Sequence, residues 1–380
     1  MKFTKKKYRI GLDLCSFNKV HCGGKDQVIY NLIKGFGMLH RDDDIVCFLH
    51  RELVDTIRAY NKNIKLFIVP HIKLPQRLNF FSIAFDGFYE NYFARKMGVE
   101  LLVFSNKNTP YLKFSMKTAV IPHDIQAFEY NSIPGLGYTI KSAKKTQQII
   151  LRDFKLRDYI IAISDYDKTE MVKYMPQFRN KIFRLYDPVD FGNIVENAIC
   201  DKKYITVLNI QWKHKNIETI IRAFNEIVND INLDLVLIGK LPEDINKYYK
   251  YIEENKLKDR VIFTGFVHQK KLEKIIDKTR IYVNASLYEG FGMTAIEMMG
   301  KGIPTIVSKS TAMPEVTLGL CNYYEPADNY YDLADAIMRE IESPKSENDL
   351  LKIAEIVRKK YSYYSIAEEY LEVFEKWIQK

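Results

Sequence analysis

Short apolar runs separated by polar, helix-length stretches recur along the chain. In the first half they fall at residues 8–14, 45–49, 65–69, 101–104, 118–121, 158–163 and 181–185. In the second half they fall at 204–208, 233–238, 260–267 and 281–284. Short runs bounded by turn signals predict strands buried on both faces. The stretches between them show helical spacing, as in Val28, Leu32, Ile33 and Phe36, or Ile217, Ile220, Ile221, Phe224 and Ile227. Strand and helix in alternation predict parallel sheets with helices on both faces, an α/β chain. A last helix has apolar residues at 363, 367, 370, 371, 374, 377 and 378. Residues 78–97 are aromatic-rich, and Phe81, Phe85, Phe88, Tyr89 and Tyr92 form a stripe. That stripe predicts a core helix packed on a sheet, with contact to a membrane or a lipid-linked acceptor as the alternative.

One stretch combines this rhythm with chemistry. A strand at residues 281–284 runs into Ser286-Leu-Tyr-Glu-Gly-Phe-Gly-Met-Thr-Ala-Ile-Glu297, then Gly302, Pro304 and Ser308. Gly290 and Gly292 break the strand, residues 294–299 suit a helix, and Gly302 with Pro304 stops it. A glycine turn that opens a helix presents free backbone N–H groups and the positive end of the helix dipole to an anion. Glu289 stands just before the turn. Glu297 follows about two helical turns later, where a carboxylate can accept hydrogen bonds from sugar hydroxyls. At the N-terminal end, strand, Gly23-Gly24 loop and helix open a nucleotide-type domain, but no G-x-G-x-x-G fingerprint is present, so no dinucleotide site is expected. Pro122-His123-Asp124 ends the strand at 118–121, and the carboxyl ends of parallel strands are where such sheets bind ligands.

Glu289 to Glu297 resembles the E-x7-E motif of the family-four retaining glycosyltransferases. Gly302-Ile-Pro304, Ser308 and Pro314-Glu315-Val316 are similar to that family's usual sequel. The resemblance implies the GT-B fold, with two Rossmann-like domains facing across a cleft and a C-terminal helix crossing back to the first. The implied boundaries are 1–190 for an acceptor-binding domain, 191–360 for a nucleotide-sugar-binding domain and 361–380 for the returning helix. It implies transfer of a hexose or deoxyhexose from a nucleoside-diphosphate sugar to a glycan or lipid-linked acceptor in cell-surface polysaccharide synthesis. Anomeric configuration would be retained, and neither a metal nor any cofactor beyond the donor would be needed.

Residue by residue, Lys215-Asn216 looks like the family's K-N element, so Lys215 would bind the donor diphosphate. Gly292, Met293 and Thr294 would add backbone N–H groups, and Glu289 would position the sugar. Glu297 would hold the ribose, and Val267 and Phe291 would complete the donor site. His123 resembles the histidine that faces the reacting sugar, with Asp124, Gly23 and Gly24 on loops lining the cleft. The loop at 125–137 is a candidate acceptor-binding loop. Many relatives carry an arginine where this chain has Asn209, and Lys213 or His214 could replace its charge. A GT-B epimerase and a non-catalytic nucleotide-sugar-binding partner are the alternatives.

Composition narrows the partners. The chain has 380 residues with 47% hydrophobic and 28% charged, which fits two globular domains. Five scattered cysteines without C-x-x-C spacing predict a reducing, cytoplasmic setting and no zinc site. The N-terminal apolar run is too short for a secretory leader, and no run nears the roughly 18–20 apolar residues that span a bilayer. A net charge of +9 favours acidic partners. Lys141, Lys144, Lys145, Arg152 and Lys155 on one predicted helix form either a solvated face or a dock for an anionic membrane surface, on the inner face of the plasma membrane. No nucleic-acid-binding signature is present, so nucleic acid is not expected.

Overall fold

The computed structural model describes residues 9–17, 24–70, 79–133, 135–195 and 202–380. It divides into two compact units, the first formed by residues up to Phe128, Ile140–Asp190 and Tyr361–Lys380, the second by Glu129–Thr139 and Phe191–Lys360. Gly23 of the sequence reading lies outside the described residues.

In the first unit seven described strands form one parallel sheet. They are β1 (Ile10–Asp13), β2 (Ile45–Leu49), β3 (Lys65–Ile68), β4 (Leu101–Phe104), β5 (Lys117–Val120), β6 (Tyr159–Ala162) and β7 (Ile182–Arg184). Their order is β3-β2-β1-β4-β5-β6-β7, so the sheet grows outward in both directions from the β1/β4 pair. The inner strands β1, β2 and β4 are buried at every position, which is why their sequences are unbroken apolar runs. Helix α1 (Gly24–Met38) follows β1, and α2 (Asn79–Met97) precedes β4.

Helix α2 corrects the sequence reading. Phe81, Phe88 and Tyr92 of the aromatic stripe are exposed, whereas Ser82, Asp86, Gly87, Glu90 and Ala94 face inward. Two contacts set this rotation. At Gly87 the helix backbone comes so close to the 105–116 loop that an added Cβ would lie 2.3 Å from Pro110. On the same face Glu90 and Asp86 meet polar partners at the ends of β1 and β2, described below. Tyr89 and Phe93 still pack partly on the sheet, the Phe93 and Phe67 ring centres lying 4.6 Å apart.

The second unit repeats the scheme with β8 (Tyr204–Leu208), β9 (Asp234–Ile238), β10 (Val261–Gly265), β11 (Thr279–Asn284), β12 (Thr305–Ser308) and β13 (Asn322–Tyr324). The order β10-β9-β8-β11-β12-β13 reverses between β8 and β11. Loops leaving the carboxyl ends of those two strands diverge to opposite sides and leave a crevice, the usual ligand position in open parallel sheets. Helix α3 (Ile217–Ile227) follows β8 and buries Ile220, Ile221 and Phe224 against Leu235, Ile281 and Val283. Helix α4 (Met293–Gly300) follows β11.

The chain's last helix, α5 (Tyr363–Gln379), belongs to the first unit and packs along α1. Gly35 permits the approach, since a Cβ there would lie 2.3 Å from the Tyr363 carbonyl oxygen. Arg41 pairs with Glu375 at 2.6 Å, and Trp377 stacks on Tyr159 at 4.2 Å between ring centres. Ser362 caps the helix by accepting from the Ser365 N–H.

Candidate active site

The β8/β11 crevice is built from two loops. After β8 the chain turns at Asn209, held at φ +62° with its N–H bonded to the Ile238 carbonyl, and passes through a tight turn over residues 213–215. Asn216 ends that turn in the left-handed region at φ +53°. Its side chain donates to the Ala327 carbonyl and accepts from Thr219, which ties the start of α3 down and fixes Lys215 just ahead of it. The loop after β11 is joined to this one where the Leu287 N–H donates to the His214 carbonyl at 2.8 Å.

Across the crevice the Lys215 ammonium donates to Glu289 Oε1 at 2.6 Å, and the two side chains are only 13% and 12% exposed. The same oxygen accepts from the Ser286 hydroxyl at 2.7 Å and the Asn284 amide at 3.3 Å. Three donors therefore converge on Oε1, and among the described residues Oε2 accepts no hydrogen bond. Burial alone would raise the pKa of Glu289, but Lys215, His214 and the hydroxyl bond outweigh it and hold the carboxyl below its ordinary value. The Glu289 backbone is pinned twice by Thr311, whose hydroxyl lies 3.0 Å from both the N–H and the carbonyl. Of the two residues that could replace the missing arginine, His214 acts on Glu289, whereas Lys213 acts on Asp244.

Gly292 caps α4 at φ +80°, and a Cβ there would lie 2.6 Å from Met313 Sδ. Only glycine meets both conditions without strain. The cap leaves the N–H groups of Met293 and Thr294 without intrahelical acceptors at the positive end of the dipole. Thr294 is oriented by the Tyr282 hydroxyl at 2.7 Å. Phe291 is buried beneath this turn, Met293, Thr294 and Glu297 are half-buried on α4, and Val267 is half-buried after β10. Sequence reasoning missed Asn284, Ser286 and Thr311. Ser286, three residues before Glu289, was within reach of a motif argument, whereas Thr311 arrives only through the fold.

In the first unit His123 follows β5 with φ +64° and donates from Nε2 to the Ser105 carbonyl at 2.8 Å. Asp124 bridges Lys25 at 3.0 Å and Lys107 at 3.1 Å. Lys25 extends from the first turn of α1 beside the exposed Gly24. Burial, with the two lysines adding repulsion, pushes the His123 imidazole down to about 3. The ring is thus neutral, protonated at Nε2, with Nδ1 left as an acceptor. An imidazole that must charge on unfolding makes stability fall with acid. Between pH 6.5 and 3 the unfolded chain binds the extra proton, so stability drops as pH falls, by about 1.4 kcal/mol per unit. Urea unfolding at pH 7 and pH 5 is expected to show the wild type losing about 2 kcal/mol more than His123→Gln over that interval. Equal losses in both proteins would show that His123 is not buried neutral.

Asp13 and Cys15, at the end of β1, meet Glu90 of α2, and their ligand atoms lie within 4.8 Å of one another. The Cys15 thiol donates to Glu90 at 3.3 Å, and Asp86 lies 3.3 Å from His50. Cysteine spacing could not have revealed this group. Burial raises Asp13, Cys15 and Glu90 alike, favouring their protonated forms.

Comparison with known proteins adds a family. Glycosyl transferases group 1 matches residues 195–357. The O-antigen chain mannosyltransferase RfbU of Salmonella typhimurium is 25% identical over 259 residues, covering 64% of this chain and 69% of RfbU. The serotype-specific mannosyltransferase WbdA of Escherichia coli is 27% identical over 182 residues, 44% of this chain, and the match spans only 22% of WbdA. Among solved structures, a sucrose-phosphate synthase from Thermosynechococcus elongatus superposes with a TM-score of 0.76 at 17% identity, covering 98% of this chain and 100% of the other. HepE of Anabaena, in complex with UDP and glucose, gives 0.71 at 13% identity over 97% and 99%. At such identities the structural likeness is one of fold.

Proposed function

We propose that the chain is a hexosyltransferase, on the premise that residues 195–357 match glycosyl transferases group 1 and that the chain has the GT-B fold. It takes a hexose or deoxyhexose from a nucleoside-diphosphate sugar, retains the anomeric configuration and delivers the sugar to a glycan or lipid-linked acceptor. The observation that carries this reading is the Lys215–Glu289 pair, 2.6 Å apart at the strand-order reversal and beside the open N-terminus of α4.

Breaking the glycosidic bond pushes negative charge onto the departing diphosphate. Lys215 and the N–H groups of Gly292, Met293 and Thr294 meet that charge from fixed positions, so little reorganisation is needed as it develops and no metal is needed at the diphosphate. Glu289, fixed through Oε1, offers Oε2 to the sugar as the anomeric carbon becomes electron-poor. Glu297 takes the ribose hydroxyls, with Val267 and Phe291 at the base. His123 supplies a neutral acceptor, Nδ1, for a sugar hydroxyl. The O-antigen chain activity named for RfbU supports a cell-surface polysaccharide as the product. Among the described residues no helix is long and apolar enough to cross a membrane.

Calorimetry with UDP, GDP, TDP and their hexose conjugates tests the reading. One nucleotide series is expected to bind, and its sugar to be transferred with retention, seen by NMR of the product, at a rate unchanged by added Mg2+. Absence of heat with every nucleotide overturns it.

A further inference from the structure

At the end of the second sheet opposite Lys215 and Glu289, a cavity opens at the amino ends of β8, β11 and β12, lined by Lys202, Arg280, Lys345 and Glu347 among others. Arg280 stands near the start of β11, is 8% exposed, and forms no ion pair with any described carboxylate. Among the described residues its guanidinium makes one hydrogen bond, a long one, 3.4 Å from Nη2 to the Glu340 carbonyl. The nearby Glu340 carboxylate is already engaged by the Asn322 amide at 2.6 Å and by the Lys345 backbone N–H at 3.3 Å. Lys202 is also 8% exposed and donates to the Asp277 carbonyl. Lys345 is held by Asn322 and lies 3.9 Å from Glu340.

A buried charge without a partner is strongly unfavourable. Carboxyl groups such as Asp13 and Glu90 can escape by keeping a proton, but a guanidinium cannot lose one. The guanidinium of Arg280 instead lines a cavity that two further cations share, and among its described lining residues Glu347 is the one carboxylate.

We propose that this cavity is a second anion site, separate from the donor site, which takes a small oxoanion of the phosphate type. Arg280 presents the flat fork of donors that matches two oxygens of such an anion, and the ammonium groups of Lys202 and Lys345 meet the others.

Thermal unfolding of the full chain with inorganic phosphate, against chloride at equal ionic strength, tests the site. Phosphate is expected to raise the midpoint of the wild type, because a ligand of the native state alone stabilises it. Arg280→Gln is expected to lose the shift, and Glu347→Gln to respond at severalfold lower phosphate because a like charge is gone. Lys215→Ala is expected to keep the full shift, and saturating UDP or GDP to leave it in place. If phosphate gives no shift and Glu347→Gln alone lowers the midpoint, Glu347 is the counter-ion of Arg280 and the proposal fails. A shift equal in Arg280→Gln, or one lost in Lys215→Ala or displaced by nucleotide, overturns it equally, by locating the phosphate elsewhere.

Discussion

Replacing Lys215 by alanine is expected to lower the rate of sugar transfer by about 10²–10³, the loss that follows removal of one preorganised donor from a developing negative charge. It should also weaken nucleoside-diphosphate binding, since the ammonium meets the diphosphate in the ground state as well. A second consequence follows from the pair itself. Lys215 and Glu289 are both nearly nine-tenths buried, and deleting one member leaves the other charge unpaired, at about 3–5 kcal/mol for a buried pair. Ser286 and Asn284 still bond the carboxylate, and it can take up a proton, so the observed loss should fall at or below the lower end of that range. The double variant Lys215→Ala/Glu289→Gln separates the two effects. It should recover much of the lost stability while remaining inactive, because the charge left unpaired is gone but the phosphate donor is still missing. Steady-state kinetics and urea unfolding on the three proteins check this. Wild-type turnover by Lys215→Ala would remove the lysine from the mechanism.

The contrast between the two halves of that pair and the rest of the site shows how much could be read from residues alone. The inner strands were legible because burial on both faces leaves no choice but apolar side chains. The runs at 45–49, 101–104 and 204–208 coincide with β2, β4 and β8. Glu289, Gly292 and Lys215 were legible through motifs. What no motif could state is that residues 74 apart in sequence close to 2.6 Å. That contact depends on the strand order, which brings the loops after β8 and β11 side by side. Helix α2 failed for a different reason. Periodicity finds the apolar face and assigns it to the core, yet here a glycine contact and a cluster of buried acids decide the rotation. Phe81, Phe88 and Tyr92 consequently point outward. Arg280 offered no signal either, since a cation at the start of a strand reads as an ordinary surface residue until its neighbours are known.

Glu289→Gln isolates charge from shape and should give the opposite binding result to Lys215→Ala. The amide oxygen of glutamine can occupy the Oε1 position and keep the bonds from Lys215, Ser286 and Asn284. Geometry and fold are therefore preserved while the negative charge disappears. In the proposed reaction that charge faces a sugar whose anomeric carbon turns cationic, and the amide nitrogen at the Oε2 position would present a donor there instead. A loss of about 10² or more in kcat is expected, comparable to other single electrostatic contributions to a transition state. Nucleoside-diphosphate affinity should hold or increase, because Lys215 is no longer neutralised by a carboxylate and its field falls wholly on the phosphates. Calorimetry with the diphosphate and initial rates with the sugar donor measure the two quantities separately. Weaker diphosphate binding with unchanged kcat would mean that Glu289 organises the phosphate site and takes no part in bond breaking. The lysine and the glutamate would then act as one anchoring unit, with the sugar's charge stabilised elsewhere.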